Sequence, residues 1–444
     1  MATLQDIVKW ELCVGCGACV TQDSNLKMDW GKNGFLYPFP QNPKVQEDNK
    51  SLLVCPFNPT PSSEVKDEDA LRSEIGIMDP CPKRDPLLGD FYSTYIGYSH
   101  TFRETSSSGG MATYVLTQLF NRGEIQGAAI VCPASPDTGH HYQYRLIKTK
   151  EDLIIGSKTK YYPSTMSDVL KEVADFDGKV AVVGMACFMK AIRLLRHYDP
   201  RYRDKIAFQI GIICGGMKSA HYTDFLASAA GIEGKYSDPK FRVKDFESVA
   251  IDYSFSAKET ETGSEKRLKM RTMGDMWGSG LFKNNACDYC DDIFTELGDI
   301  SLGDAWIKPY NQDGRGHNVI IARSRVAEEI IQTGLKDGEL TIHTVTPKEL
   351  IASQGGNVRH RGDAIGYRIN KAIRKGIQIS PKRRDRGPKL PLINRLIQDQ
   401  RMKVRGKSIR VWAKYRDAEK FEKAMSFDRK FLRLLSHLSL LKDH

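Results

Sequence analysis

The sequence predicts an α+β/α/β chain in three parts: a small cysteine-bearing module, a mixed α/β domain and a basic helical C-terminal extension. Three observations predict it. Cysteines gather as Cys13-x2-Cys16-x2-Cys19 near the start, short β-branched runs alternate with helical segments through the middle, and lysine and arginine dominate the end. With 444 residues, 40% hydrophobic and 27% charged, the chain can bury a substantial core in two or three units. No apolar run approaches the about 20 residues of a membrane span. The first residues, Met1 to Glu11, lack the basic start and apolar run of a signal peptide. A cytoplasmic location is expected, where cysteines more often bind metals or react than form structural disulfides.

Residues 1–60 form the first part. A bacterial-type ferredoxin carries the run C-x2-C-x2-C-x3-C-P, whose fourth cysteine serves the other cluster. Here Val-Thr-Gln-Asp follows Cys19, and a Cys55-Pro56 pair stands further on. Cys13, Cys16, Cys19 and Cys55 are the ligands one 4Fe-4S cluster would need if the second were deleted from a ferredoxin-like module. Gly15 and Gly17 let backbone wrap a cluster closely. Asn33-Gly34 between strand-like runs signals a hairpin. Residues 61–90 are polar, without apolar period before Leu87-Leu88, and suit a linker.

From 91 to 350 strands and helices alternate. Lys179–Gly184 reads as a strand followed by a helix over Phe188–His197, and Ile206–Ile213 repeats the arrangement before Cys214-Gly215-Gly216 and a helix near Ser219. Strand–turn–helix units of this kind predict a largely parallel sheet. Residues 248–275 alternate like antiparallel strands, and 299–305 and 318–323 read as two more. The extension, 351–444, is helical in pattern and broken by Pro381, Pro388 and Pro391. Its last stretch places Phe427, Phe431, Leu434, Leu435, Leu438 and Leu441 on one face.

Cys187 and Cys214 each fall in the turn after a predicted strand, so both should emerge at the carboxyl edge of one sheet, where open α/β sheets gather ligands. Cys287-x2-Cys290 could complete a second set of four. Structural zinc is the rival occupant for both sets. The double x2 spacing favours a cubane cluster in the first, and spacing alone does not choose for the second. Cys81 and Cys132 are left over and read as structural or incidental. Thr105 to Met111, with Ser106, Ser107, Ser108, Gly109 and Gly110, precedes a helix running to about Asn121; such a start can hold a phosphate or serve as a plain cap. Ser157 and Lys158, in a loop ending Lys160-Tyr161-Tyr162, suit a dinucleotide or a solvated loop equally. Histidines 100, 140, 141, 221 and 317 form no recognisable ligand pair.

Together these segments give a resemblance. The chain is similar to the coenzyme F420 hydrogenase/dehydrogenase beta-subunit family over about residues 10–350, through Cys-Val-Gly-Cys-Gly-Ala-Cys (13–19), Ser-Ser-Gly-Gly (107–110), Gly-Ser-Lys (156–158), Val-Ala-Val-Val-Gly-Met-Ala-Cys (180–187), Ile-Ile-Cys-Gly (212–215), Cys-Asp-Tyr-Cys (287–290) and Asp-Ile-Ser-Leu-Gly-Asp-Ala-Trp (299–306). The resemblance implies a flavin-binding domain holding FAD beside a 4Fe-4S cluster, with hydride exchange with a deazaflavin coenzyme or direct reduction of a substrate. It implies cluster ligation by Cys187, Cys214, Cys287 and Cys290, FAD binding at Ser108, Gly109, Gly110, Ser157 and Lys158, and an unassigned role for Asp304. The family's proline before the first of these cysteines is Ala186 here, and its glutamine after it is Phe188, differences in the turn and at a polar position that bear on the substrate.

Net charge is +11, and it is not uniform. Residues 370–444 carry 22 Lys/Arg against 7 Asp/Glu, leaving 44 against 48 elsewhere. The body is mildly acidic and the basicity belongs to the tail, which could dock an acidic partner or an anionic membrane surface. The leading expectation is a FAD- and 4Fe-4S-dependent oxidoreductase joining a hydride carrier to a one-electron partner, ferredoxin-like or a subunit. A ferredoxin-dependent reductase of a small organic substrate is the second. The third is a zinc-stabilised binding protein whose tail touches nucleic acid through Lys382-Arg383-Arg384 and Arg401 to Arg410; with few stacking aromatics and no nucleic-acid motif, it is the weakest.

Overall fold

Alternating burial along short strands organises the middle of the chain. The computed structural model describes residues 2–45, 48–74, 81–382 and 389–440. Its strands are β1 (Leu26–Trp30), β2 (Leu36–Pro40), β3 (Lys83–Asp85), β4 (Gly89–Phe91), β5 (Ser93–Ser99), β6 (Gly127–Pro133), β7 (Tyr142–Ile147), β8 (Val180–Met185), β9 (Ile206–Ile212), β10 (Tyr236–Val243), β11 (Ser254–Glu259), β12 (Glu265–Lys269), β13 (Ile300–Asp304), β14 (Asn318–Ala322) and β15 (Leu340–Thr344).

Eight strands form one sheet in the order β15-β5-β14-β13-β9-β8-β6-β7. Only β13–β9, β9–β8 and β8–β6 pair in parallel, so the expected largely parallel sheet is corrected to a mixed one. The parallel centre comes from helical crossovers; the flanks are antiparallel because β6–β7 and β13–β14 are joined by connections without a crossover helix. Residues on β8 alternate between two cores. Val180 and Val182 face Leu194 and Leu195 of the helix Ala186–Tyr198, while Ala181 joins Phe208, Ile210 and Met111 on the other side.

The N-terminal residues pack into the first of these cores. Ile7, Leu12, Phe35, Val54 and Phe57 share it with Val169, Leu170 and Phe188. The Asn33-Gly34 turn closes the β1–β2 hairpin, with Gly34 at φ +70°. The stretch expected as a linker is also packed. Val65 and Leu71 are buried, and Glu68 forms a buried ion pair with Lys190 at 3.2 Å; residues 75–80 lie outside those described.

The tail forms two antiparallel helices, Leu392–Tyr415 and Ala418–Leu440. They are built into a third core, where Trp412, Phe421 and Met425 meet Phe225 and Phe282 beside β10 to β12. The stripe read from sequence divides: Leu435 is buried, whereas Phe427, Phe431, Leu434 and Leu438 are exposed. Leu441, Pro388, Arg383 and Arg384 lie outside the described residues. No helix among the described residues is long and apolar enough to cross a membrane.

Candidate functional site

The loop at Cys13–Cys19 is held by close backbone packing. Gly17 has φ +83°, and a Cβ there would lie 2.2 Å from Thr165 Oγ1; Gly15 has φ +69°, and a Cβ would lie 2.8 Å from the Leu36 carbonyl oxygen. No other residue fits either position. Cys13, Cys16, Cys19 and Cys55 line one small internal void. The Gly15 N–H points at the Cys13 sulfur at 3.4 Å.

The second set comes together, Cys214, Cys287 and Cys290 all lying close enough to Cys187 to act on its ionisation. Cys187 is the second residue of the helix that follows β8, and Cys214 follows β9, so both sit at the carboxyl ends of neighbouring parallel strands. Cys287 lies in the turn Asn285–Tyr289, capped by the Asn284 side chain. The Gly216 N–H reaches the Cys214 sulfur at 3.2 Å and the Met217 N–H the Cys287 sulfur at 3.3 Å. Asn284 Nδ2 donates to the Cys13 carbonyl at 3.0 Å and Asn285 Nδ2 to that of Trp10 at 3.2 Å, so the two cysteine loops are hydrogen-bonded neighbours.

Burial pushes the thiols of Cys13 and Cys290 up to about 12, and those of Cys19 and Cys187 well above the usual range. Such sulfurs ionise only with positive charge among them. Part of that charge is present and was not legible in the sequence. Arg361 donates to the Cys214 carbonyl and lies 3.8 Å from the Cys290 sulfur. Behind it, buried Asp288 takes Lys283 at 2.6 Å, His360 at 3.2 Å and Arg405. Arg368 donates to the carbonyls of Asp288 and His360. Burial and the Lys283 charge hold His360 well below the usual histidine range, hence neutral. Among the described residues no group of three or more His, Cys, Asp or Glu is arranged to hold a single metal ion as the side chains stand. Eight free cysteines in two sets, with N–H groups aimed at their sulfurs and a guanidinium beside one set, fit iron–sulfur clusters.

A chamber of about 1310 Å³ adjoins the second set, with Cys214 in its wall. Ser106, Ser107, Ser108 and Gly110 line it, as do Ser157 and Lys158. Gly110, at φ +81°, starts the helix Met111–Asn121. Ser107 Oγ accepts from the Thr159 N–H at 2.9 Å, and Ser108 Oγ donates to the His317 carbonyl at 2.9 Å. Lys244 Nζ donates to the Ser108 carbonyl at 2.8 Å and was not foreseen. Gly109 is different: a Cβ there would meet the Gly97 carbonyl oxygen at 2.6 Å, so its role is packing against β5. Burial lowers Lys158, and takes Lys160 to about 8.

Phe188 lines the chamber and stacks on Tyr144, ring centroids 6.2 Å apart. Asp304 pairs with buried Arg242 at 2.6 Å, and that guanidinium lies 4.8 Å from the Tyr253 ring centroid. Cys81 interacts with Arg72 and the Arg323 carbonyl, and Cys132 is buried in the second core; both stand apart from the two sets.

Fold and site define an α/β protein with two four-cysteine sets, the second of which adjoins a deep chamber at the carboxyl ends of its parallel strands. The family models for the N-terminal and C-terminal parts of the coenzyme F420 hydrogenase/dehydrogenase beta subunit match residues 94–171 and 177–348 respectively, and the chain belongs to that family. It is 24% identical to the coenzyme F420 hydrogenase subunit beta of Methanosarcina barkeri over 276 residues, covering 57% of this chain and 82% of that protein. It is 24% identical to an F(420)H(2) dehydrogenase subunit of Methanosarcina mazei over 333 residues (73% and 83%). A coenzyme F420-dependent sulfite reductase of Methanocaldococcus jannaschii is 24% identical over 343 residues, 74% of this chain and 46% of that one. A chain of the F420-reducing [NiFe] hydrogenase complex from Methanosarcina barkeri shares the fold, with TM-score 0.50 and 20% identity over 68% of this chain and 98% of that one.

Proposed function

We propose that this protein is a FAD- and 4Fe-4S-dependent oxidoreductase that passes electrons between a hydride carrier of the coenzyme F420 type and a one-electron partner, a ferredoxin-like protein or a partner subunit. The observation that carries the reading is Cys214, which belongs to the second cysteine set and to the chamber wall at once. Relatives named for coenzyme F420 support the carrier.

The residues present fit the groups. Ser106 to Gly110 and the start of Met111–Asn121 would receive a pyrophosphate, with Lys158 as counter-charge. Cys187, Cys214, Cys287 and Cys290 would ligate one cluster and Cys13, Cys16, Cys19 and Cys55 the other. A flavin supplies conversion between two-electron and one-electron transfer. The chain's own part is orientation and charge. Arg361 fixes the Cys214 backbone and offsets thiolate charge, and Lys244 pins Ser108. Tyr161, Trp277 and Phe188 give the chamber aromatic walls.

A second reading, a ferredoxin-dependent reductase of a small organic substrate, is favoured by Phe188 in the wall and by tail residues that line the same chamber. The outward stripe Phe427, Phe431, Leu434 and Leu438, flanked by exposed Lys423, Lys430 and Arg433, suits an acidic partner or an anionic membrane surface.

The test is anaerobic reconstitution with iron, zinc and flavin measured on one sample. Flavin with about eight iron per chain, two four-iron clusters by ligand count, supports the reading; zinc without flavin overturns it. Oxidation of reduced coenzyme F420 then separates the first reading from the second.

A further inference from the structure

The chamber is completed by residues beyond the family-matched region, which ends at 348. Arg359 lines it, followed by Leu390, Asn394, Ile397 and Arg401 from the first tail helix region and Ser439 from the second. Ser439 Oγ donates to Asn394 Oδ1 at 2.7 Å, closing the two helices over this wall. The tail therefore decides part of what the chamber admits.

Arg401 stands out within it. Its Nε is buried without a hydrogen-bond partner, and among the described residues no ion pair engages its guanidinium. The charges that act on it are Asp275, which is exposed, and Arg359 and Arg368, both of its own sign. The neighbouring cations are committed elsewhere. Lys283 holds Asp288 at 2.6 Å, and Lys218 donates to the carbonyls of Met276 and Leu281 at 2.7 and 2.6 Å. Lys158, also in the chamber wall, has Lys240 as its charged neighbour. A guanidinium whose Nε is buried and left unpaired is costly, and its planar fork matches a carboxylate or a phosphate. The serine cradle already provides for a cofactor pyrophosphate, so Arg401 is left for a second anion.

We propose that Arg401 is a specificity-determining residue whose guanidinium receives a carboxylate or phosphate group of the substrate entering the chamber, which makes that substrate a small anionic organic molecule. This rests on reading the chamber as the redox site. The tail supplies the anion clamp; the family-matched body supplies the rest.

The test uses full-length reconstituted protein of measured iron and flavin content, titrated calorimetrically with inorganic phosphate and, separately, succinate. Wild type should bind at least one probe, which also tells phosphate from carboxylate. Arg401→Gln should weaken that binding tenfold or more with flavin and iron unchanged, and Arg401→Lys should fall between. Equal binding by R401Q, or no binding of either probe by wild type, overturns the proposal, as does loss of flavin along with probe binding, which would make Arg401 a cofactor ligand. Arg401-dependent binding in a protein that takes up no flavin would sink the redox reading and leave the anion site standing. Should R401Q not fold, Asp275→Asn decides: removing the competing carboxylate should tighten binding twofold or more, and unchanged binding overturns the proposal.

Discussion

Arg361 ties the two halves of the second cysteine set together by donating to the main-chain carbonyl of Cys214 with one arm. With the other it reaches the Asp292 carbonyl at 3.3 Å and the Cys290 sulfur at 3.8 Å. One side chain thus links the loop after β9 to the loop carrying Cys287 and Cys290, and brings fixed positive charge to the sulfurs. Arg361→Gln should lower iron content and move the potential of the remaining cluster negative, because a cationic neighbour favours the reduced, more anionic state. Arg361→Lys keeps the charge without the fork and should fall between. Iron analysis with a potentiometric titration checks this; an unaltered potential in R361Q would refute it.

The two cysteine sets should empty independently. Cys16→Ser and Cys287→Ser should each remove about half of the iron, since each leaves four intact ligands for the other cluster. C287S should also disturb the flavin spectrum, because its set adjoins the chamber whereas Cys16 lies in the N-terminal loop. Iron quantification beside the visible spectrum of each variant decides; full loss from either single change would mean that the sites assemble as one.

At Gly110 the backbone is left-handed at φ +81°, and a Cβ would lie 2.5 Å from the carbonyl carbon of Phe102. Gly110→Ala should cost at least the about 1–2 kcal/mol of a left-handed alanine, with the clash in addition, and should lower flavin retention. Ser108→Ala removes only the bond to the His317 carbonyl and should cost about 1 kcal/mol. Thermal melts of the two variants, with flavin content, test the order.

Local spacing made much of this legible. Cys187 and Cys214 follow strands whose β-branched residues stand in sequence beside them, so their shared edge could be read directly. Arg361, Asp288, Lys283 and Arg405 could not be read, because each acquires its meaning from partners many residues away. The tail misled for a related reason. Periodicity shows that Phe427, Phe431 and Leu434 share a face, but it does not show that Phe421, Met425 and Leu432 offer a second face better matched to Phe225 and Phe282. The polar composition of 61–74 likewise hid Glu68, which is buried because Lys190 meets it.

Removal of residues 370–444 should not yield a well-folded core. Trp412 and Phe421 are 2% and 0% exposed, and their loss would bare Phe225 and Phe282 and open the chamber at Arg401. Large aromatic truncations each cost about 3–5 kcal/mol in a core, which together approach the whole stability of a domain. A soluble truncated protein with full flavin content would show that the tail is separable.

The tail helices are joined by a buried carboxylate, and its ionisation should be visible in stability. Asp428, 2% exposed, accepts from Gln400 at 3.0 Å, Lys403 at 2.8 Å and Lys407 at 2.6 Å. Burial raises its pKa, but these donors outweigh that and hold it at about 2, below the ordinary 3.8. A carboxyl depressed in the folded state adds stability that is fully present above the unfolded value and is lost as pH falls through about 4 towards 2. The difference amounts to about 2 kcal/mol, and to about 1 kcal/mol once screening of the exposed Lys403 ammonium is allowed for. Asp428→Asn should therefore lower the melting temperature at pH 7 and lose stability less steeply than wild type between pH 4 and pH 2. Parallel pH–stability curves for the two proteins would show that Asp428 gains nothing from its three donors.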